Sequence, residues 1–276
     1  MRIKQYGNAV LIQDTKIFSP ELCLDCGQAF RFENIGGVLH GVAKNKVLDI
    51  ENISDGILFH TTIDDFNKIW YDYFDLGRDY ERIISNLKKD KNLSLAVDEF
   101  CGIRILNQDP WETLCSFIIS QNNNIPRIKG IIKRLCESFG EPLGGADYTF
   151  PSAQVISQLS LDDLAPLRAG FRNKYILDAA QKVASGEVAI YKLKDMPIEE
   201  ARMELIKIKG VGAKVAECTV LYGCGHIEAF PVDVWVKRIM AELYEDGLPE
   251  CTNGVQGIAQ QYLFHWRRNS QHFNNI

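Results

Sequence analysis

Apolar positions along this chain change their spacing near residue 63. Before that point Val47 to Ile53 alternate in part, Gly36-Gly37 and Asp55-Gly56 carry turn signals, and Ile57-Leu58-Phe59 resumes an apolar run directly after the second. Alternation broken by glycine turns is the pattern of strands joined by hairpins. Residues 1 to about 62 are therefore read as an antiparallel sheet. After residue 63 the apolar positions recur at helical spacing. The charged stretch Lys88-Lys89-Asp90-Lys91 reads as a surface connection. A boundary near residue 95 then divides the chain into an N-terminal sheet domain, 1–95, and a mainly helical region, 96–276.

In the helical region Asp109 can act as N-cap, with Pro110 at the first helical position and Glu112 three residues after the cap, the arrangement of a capping box. Trp111, Leu114, Cys115, Ile118 and Ile119 follow as one apolar stripe, so this helix is expected to be buried. It stops at Gln121-Asn122-Asn123-Asn124, and a second helix starts at Pro126, with Ile128, Ile131, Ile132, Leu135 and Cys136 on its core face. Further helices are expected from Ser160 to Leu167, Asn173 to Ala184 and Pro197 to Ile208. Strands first and helices after make the chain α+β.

Composition narrows the function classes. Of the 276 residues 46% are hydrophobic and 24% charged, and no apolar run approaches the roughly 18 to 20 residues of a membrane span. A membrane role is not expected. The start Met1-Arg2-Ile3-Lys4-Gln5 has no secretory pattern, so the expected location is cytoplasmic. The eight cysteines are spread along the chain and read as reduced thiols. Cys23-Leu24-Asp25-Cys26 has the spacing of half a zinc site or a redox pair, yet nothing completes a ligand set. A net charge of −5 argues against a protein that coats nucleic acid nonspecifically, while leaving room for a local basic face. Arg127, Lys129, Lys133 and Arg134 form one acid-free run, and Arg168, Arg172 and Lys174 form another; solvated helix faces carry the same pattern.

The stretch from Leu205 to Ala216 carries the chemistry: a helical pattern enters Gly210-Val211-Gly212 and restarts at once as Ala213 to Tyr222. Two glycines allow φ > 0 and a close approach of the backbone, and the new helix offers its N–H groups and the positive end of its dipole. Such a hairpin can hold a phosphate, or it can be a plain tight turn. Lys214, Cys218 and Tyr222 are spaced i, i+4, i+8 and share one face. A partly desolvated lysine there is a candidate nucleophile, although a helical lysine also commonly lies over apolar surface. Downstream, Phe230-Pro231-Val232-Asp233 places Asp233 where a helix can begin, as a cap or as a carboxylate facing a cleft.

These residues together resemble the helix-hairpin-helix, Gly/Pro-Asp superfamily of DNA glycosylases, and within it the 8-oxoguanine DNA glycosylases. The resemblance runs through Gly27-Gln28-Ala29-Phe30-Arg31, Asp109 to Arg127, Gly170-Phe171-Arg172, the hairpin with Pro231-Val232-Asp233, and Ala259-Gln260-Gln261-Tyr262-Leu263-Phe264. It implies an enzyme of base excision repair, a glycosylase and AP lyase. Lys214 would attack the sugar C1′ of a flipped-out nucleotide and Asp233 would support the lysine and the cationic sugar. It further implies that the Gly27 carbonyl accepts the N7 proton of oxidised guanine, that Cys218 and Phe264 sandwich the base beside Tyr222, and that Gln260 bonds its Watson–Crick edge. Asn122, Arg127 and Arg172 would fill the gap and bond the opposite cytosine, Phe171 would act as a wedge, and Gly210, Gly212 and Trp235 would meet the DNA backbone.

Three positions depart from the better-known eukaryotic pattern: Phe171 for Tyr, Trp235 for His, and Tyr222 for Met. In relatives a metal ion binds hairpin carbonyls, here those of Ile206, Ile208 and Val211. No cofactor is expected to be required, and no iron-sulfur cluster, because Cys218, Cys224 and Cys251 are too few and wrongly spaced. The expected partner is duplex DNA containing 8-oxoguanine, and the expected state is a monomer. The rival readings are a lysine-independent glycosylase for alkylated bases and a non-catalytic DNA-binding module.

Overall fold

The structure, a computed structural model, describes residues 1–273. Six strands form one antiparallel sheet in the order β1-β2-β6-β5-β4-β3. They are β1 (Arg2–Tyr6), β2 (Ala9–Gln13), β3 (Phe32–Ile35), β4 (Val38–Ala43), β5 (Lys46–Ile53) and β6 (Gly56–Phe59). The expected sheet is present, with one helix, α1 (Pro20–Asp25), inserted between β2 and β3. Ser19 caps α1 by accepting from Leu22 N, and Pro20 supplies a preset first turn. The thiols of Cys23 and Cys26 are buried and donate to the Gly102 and Cys23 carbonyls. They are core groups, and among the described residues no three His, Cys, Asp or Glu side chains gather as a metal site.

The alternation read in β5 puts Leu48 and Ile50 on the buried face, with Ile50 between Leu39 and Phe59 in register. Phe18, Phe66, Trp70 and Phe74 cover that face; Phe66 and Phe74 each meet Phe59 edge-on at 5.4 Å. Each such buried ring contributes ~1.5–3 kcal/mol of transfer free energy. The hydrophobic core changes over between Leu76, which belongs to the sheet, and Tyr80, which belongs to the helices.

The helical core is built from α2 (Tyr80–Leu87), α3 (Lys91–Glu99), α4 (Pro110–Ser120), α5 (Ile125–Phe139), α6 (Asn173–Ala184), α7 (Ile198–Ile206), α8 (Ala213–Cys224), α9 (Val234–Leu243) and α10 (Gln256–Asn269). The core stripes expected for α4 and α5 are buried. The segment Ser160 to Leu167 is a single capped turn, Leu161–Leu164, continued as a 3-10 turn. The sequence reading passed over the small hairpin of β7 (Pro142–Gly144) and β8 (Asp147–Tyr148), and also α10. In α10 the polar residues Gln260, Gln261 and His265 are buried along with Ile258, Tyr262, Leu263 and Trp266, so no polar face marks the helix.

Two local expectations are corrected. Asp109 caps α4 through Trp111 N and Glu112 N, but the Glu112 carboxylate turns to Arg31 at 3.4 Å, so the reciprocal half of the capping box is absent. In the basic run on α5, Lys129 donates to the Phe32 carbonyl and Arg134 to the Leu167 carbonyl, which leaves Arg127 and Lys133 as its exposed cations. No helix among the described residues is long and apolar enough to cross a membrane.

Candidate active site

The hairpin between α7 and α8 is held from both sides. Lys209 N donates to Asp178 on α6 at 2.7 Å, and Gly210 adopts φ +81° against the Tyr175 ring, where a Cβ would stand 2.5 Å from ring carbons. Strain and overlap together should make Gly210→Ala cost ~2–4 kcal/mol. Urea unfolding measures this, and a loss under about 0.5 kcal/mol, the scale of an ordinary surface change, would refute the packing. Gly212 corrects the expectation of two left-handed glycines: its φ is −105° and open space surrounds it. It is the N-cap of α8 and brings no capping side chain, so the first N–H groups of α8 remain available to an anion.

Along α8 the i, i+4, i+8 spacing does what the sequence requires: Lys214, Cys218 and Tyr222 face one cavity. The Lys214 ammonium donates to Ser120 Oγ at 3.3 Å and lies 4.8 Å from the centre of the Phe117 ring. Burial pushes the Cys218 thiol up to about 11 against the pull of Lys214, so it presents a neutral sulfur. The Tyr222 ring stacks on Phe117 at 5.4 Å.

Asp233 caps α9, its Oδ1 accepting from Trp235 N at 2.9 Å and Val236 N at 2.8 Å. The loop before it is tied to α8, because Glu217 accepts from Phe230 N at 2.8 Å and pairs with Arg202. The sheet domain supplies Gly27 (φ +81°), just past the C-terminus of α1. Buried Gln28 anchors that loop by donating to the Cys23 and Arg104 carbonyls and accepting from Leu106 N. Gln260 and Phe264, one turn apart on α10, complete the wall. Phe264 lies against Gly27, where a Cβ would stand 3.3 Å from its ring.

Gly27, Phe117, Lys214, Cys218, Tyr222, Pro231, Asp233, Gln260 and Phe264 thus enclose a single cavity of about 50 Å³. That volume holds a water or two and no purine, so a base can enter only if lining side chains move. A roomier cleft of about 650 Å³ beside Arg78, Asn86 and Val255 gathers no comparable chemistry. Sequence reasoning missed Phe117 and Ser120, which sit beside the apolar stripe and at the end of α4. It also gave no role to the amides of Gln28, Gln108 and Gln261; polar residues inside apolar runs were the available signal.

The residues expected to meet DNA are arranged unequally. Asn122 is exposed with φ +48° between α4 and α5, Arg127 is exposed in the first turn of α5, and Phe171 is 48% exposed. Phe171 packs edge-on to Tyr175, the ring that covers Gly210, so Phe171 and the hairpin share one support. Arg172 is placed differently from these three. It is 2% exposed, and its guanidinium donates to the Gln121, Asn122 and Ala169 carbonyls, bracing the Asn122 loop from inside. Trp235 is half-buried under Arg238. At the hairpin the Ile208 carbonyl accepts from Val211 N, while those of Ile206 and Val211 accept no hydrogen bond among the described residues. These free carbonyl oxygens are the kind of donor a hard cation takes.

Residues 10–114 match the family described as 8-oxoguanine DNA glycosylase, N-terminal domain, and residues 115–247 match the HhH-GPD superfamily of base excision DNA repair proteins. The fold superposes on the Clostridium acetobutylicum 8-oxoguanine glycosylase/lyase in complex with duplex DNA containing cytosine opposite 8-oxoG, with TM-score 0.91 and 36% identity over 100% of this chain and 99% of that one. A structure of MBOgg1 with a low-affinity DNA ligand gives TM-score 0.90 and 41% identity over 97% and 98% of the two chains. The N-glycosylase/DNA lyase of Saccharomyces cerevisiae is 35% identical over 188 residues, which cover 63% of this chain and half (50%) of the yeast protein's length.

Proposed function

This chain belongs to the 8-oxoguanine DNA glycosylase family of the HhH-GPD superfamily, and from that premise we propose that it excises oxidised guanine from duplex DNA and then cleaves the strand as an AP lyase. The carrying observation is that Lys214 and Asp233 line the same cavity as Gly27, Cys218, Gln260 and Phe264, residues drawn from both ends of the chain.

Once the Lys214 ammonium has given up a proton to solvent, its amine attacks C1′ of the flipped nucleotide. The C1′–N9 bond breaks, and the base leaves with the bonding pair and takes up a proton. The transition state resembles an oxocarbenium ion, which the Asp233 carboxylate stabilises. Opening of the sugar gives a Schiff base between Lys214 and C1′; loss of a C2′ proton then expels the 3′ phosphate, and water releases the lysine. Gly27 reads the N7 proton through its carbonyl, because unmodified guanine turns a lone pair toward that acceptor. Gln260 bonds the Watson–Crick edge, and Phe264 and Cys218 hold the faces. Tyr222 shapes the pocket wall.

Asn122 and Arg127 fill the vacated duplex beside the wedge Phe171. Arg172 reaches the opposite base by exchanging its bonds to the loop carbonyls. The hairpin at Gly210 and Gly212 and the first turn of α9 at Trp235 hold backbone phosphates. A cation on the Ile206, Ile208 and Val211 carbonyls would support the hairpin and takes part in no step. The enzyme acts as a monomer.

Duplexes carrying 8-oxoguanine opposite each of the four bases test this reading, with free base and strand cleavage measured separately. Release opposite cytosine is expected, with a preference weaker by about two- to tenfold, the worth of one hydrogen bond, than in a relative bearing Tyr at position 171. An equal preference would refute the weaker discrimination expected from Phe171. Release of alkylated purines in place of 8-oxoguanine would favour a water-activating glycosylase and overturn the proposal.

A further inference from the structure

We infer that Tyr222 and Gln261 form a hydrogen-bond relay that orients the Cys26–Gly27 peptide, and so act as positioning residues that determine base specificity. The inference rests on the proposed reading of the base by the Gly27 carbonyl and adds to it Gln261, which lies behind the cavity wall, and a second role for Tyr222, which lines it.

Directions in the relay follow from chemistry. A carbonyl can only accept, so the Gln261 amide nitrogen must face the Cys26 carbonyl, 2.8 Å away. That turns Gln261 Oε1 toward Tyr222, and the hydroxyl must donate to it, at 2.6 Å. A phenol has one proton. Gln260 Oε1 stands 3.5 Å from the same hydroxyl, so Gln260 keeps its amide for the pocket. Gln261 and Tyr222 are 1% and 4% exposed, and neither link can be replaced by solvent without rearrangement.

The peptide plane transmits the constraint. With the Cys26 carbonyl held, the plane that also carries Gly27 N and Cα is held, and Gly27 turns from it at φ +81°. The other flank is tied to the same tyrosine: Gln108 donates its side-chain amide to the Gln28 carbonyl at 2.7 Å and its main-chain N–H to the Tyr222 carbonyl at 2.8 Å. Between the two anchors the Gly27 carbonyl accepts no hydrogen bond among the described residues, which leaves it as the free acceptor of a fixed loop. Fixed acceptors discriminate because they cannot turn away from a lone pair.

Tyr222→Phe removes the hydroxyl, with its bond to Gln261 and its 3.5 Å approach to Gln260, and keeps the ring on Phe117; Gln261→Leu removes the middle link and leaves Gln260 in place. For each, kcat/KM is measured for release of 8-oxoguanine, for release of guanine and for cleavage at a preformed abasic site, which contains no base. The 8-oxoguanine-to-guanine ratio is expected to fall about tenfold in either variant, and the double variant to fall no further, as for two parts of one unit. Abasic-site cleavage should fall by a smaller factor than base release. Equal losses in base release and abasic cleavage, or additive losses in the double variant, would overturn the relay. If Gln261→Leu fails to fold, Tyr222→Phe carries the test. The amide nitrogen resonance of Gly27, sensitive to the hydrogen bond on the preceding carbonyl, reads the relay without reference to the reaction and should move in Tyr222→Phe. An unmoved resonance refutes the relay, whereas failure of the unsubstituted protein to release 8-oxoguanine refutes only the functional reading.

Discussion

Lys214→Gln is expected to eliminate the covalent adduct that borohydride traps on 8-oxoguanine DNA, and to lower strand cleavage by roughly a thousandfold or more, because no other amine takes over the C1′ bond. Glutamine, one bond shorter, still packs against the Phe117 ring and gives up only the 3.3 Å contact to Ser120 Oγ. The substitution therefore removes the proposed nucleophile with little change in packing, and the melting temperature should move by only a degree or two. The alternative for this residue was a lysine lying over apolar surface, and Lys214 does lie over Phe117. That role alone predicts a loss of stability and an adduct that survives in Lys214→Gln. A trapped complex surviving in Lys214→Gln would remove the lyase mechanism.

Asp233→Asn is expected to slow base release by about a hundred- to a thousandfold, the scale of losing one preorganised electrostatic partner of a developing charge. Its value lies in what it leaves intact. Asp233 caps α9 with a single oxygen, Oδ1, and the asparagine side-chain oxygen caps about as well. Unfolding free energy should hardly change in Asp233→Asn, while Asp233→Ala should lose ~1 kcal/mol in addition to the same loss of rate. Single-turnover base release and urea unfolding on both variants separate cap from catalyst. Parallel losses of rate and stability would reduce Asp233 to a structural cap.

Much of the fold was legible because it is local. Glycine turns and partial alternation marked the sheet, the stripes of α4 and α5 marked two buried helices, and Asp109 and Asp233 are the caps their positions announced. The face shared by Lys214, Cys218 and Tyr222 is a property of helical spacing, and it survives unchanged. What failed were inferences that needed a partner from elsewhere. Glu112 left its capping box for Arg31, and Lys129 and Arg134 spent their charge on carbonyls. Gly212 kept an ordinary φ because the turn is completed by Gly210 alone. Helix α10 was hidden because its glutamines are buried, and a helix without a polar face has no period to read.

The amino-acid sequence by itself determined the kinds of group this protein owns and their order: an amine in the first turn after a glycine hairpin, a carboxylate at a helix start, a glycine loop after a short helix. Those depend on neighbours within a turn or two, where covalent geometry and hydrogen-bond spacing leave few choices. Only the tertiary structure decided that residues 27, 214, 233 and 264 share one cavity, and that Gln28, Gln108 and Gln261 tie its walls together. A buried amide must find its partners wherever the packed chain provides them, and across more than 200 residues (from Gln261 to Cys26, 235) sequence spacing carries no record of that distance.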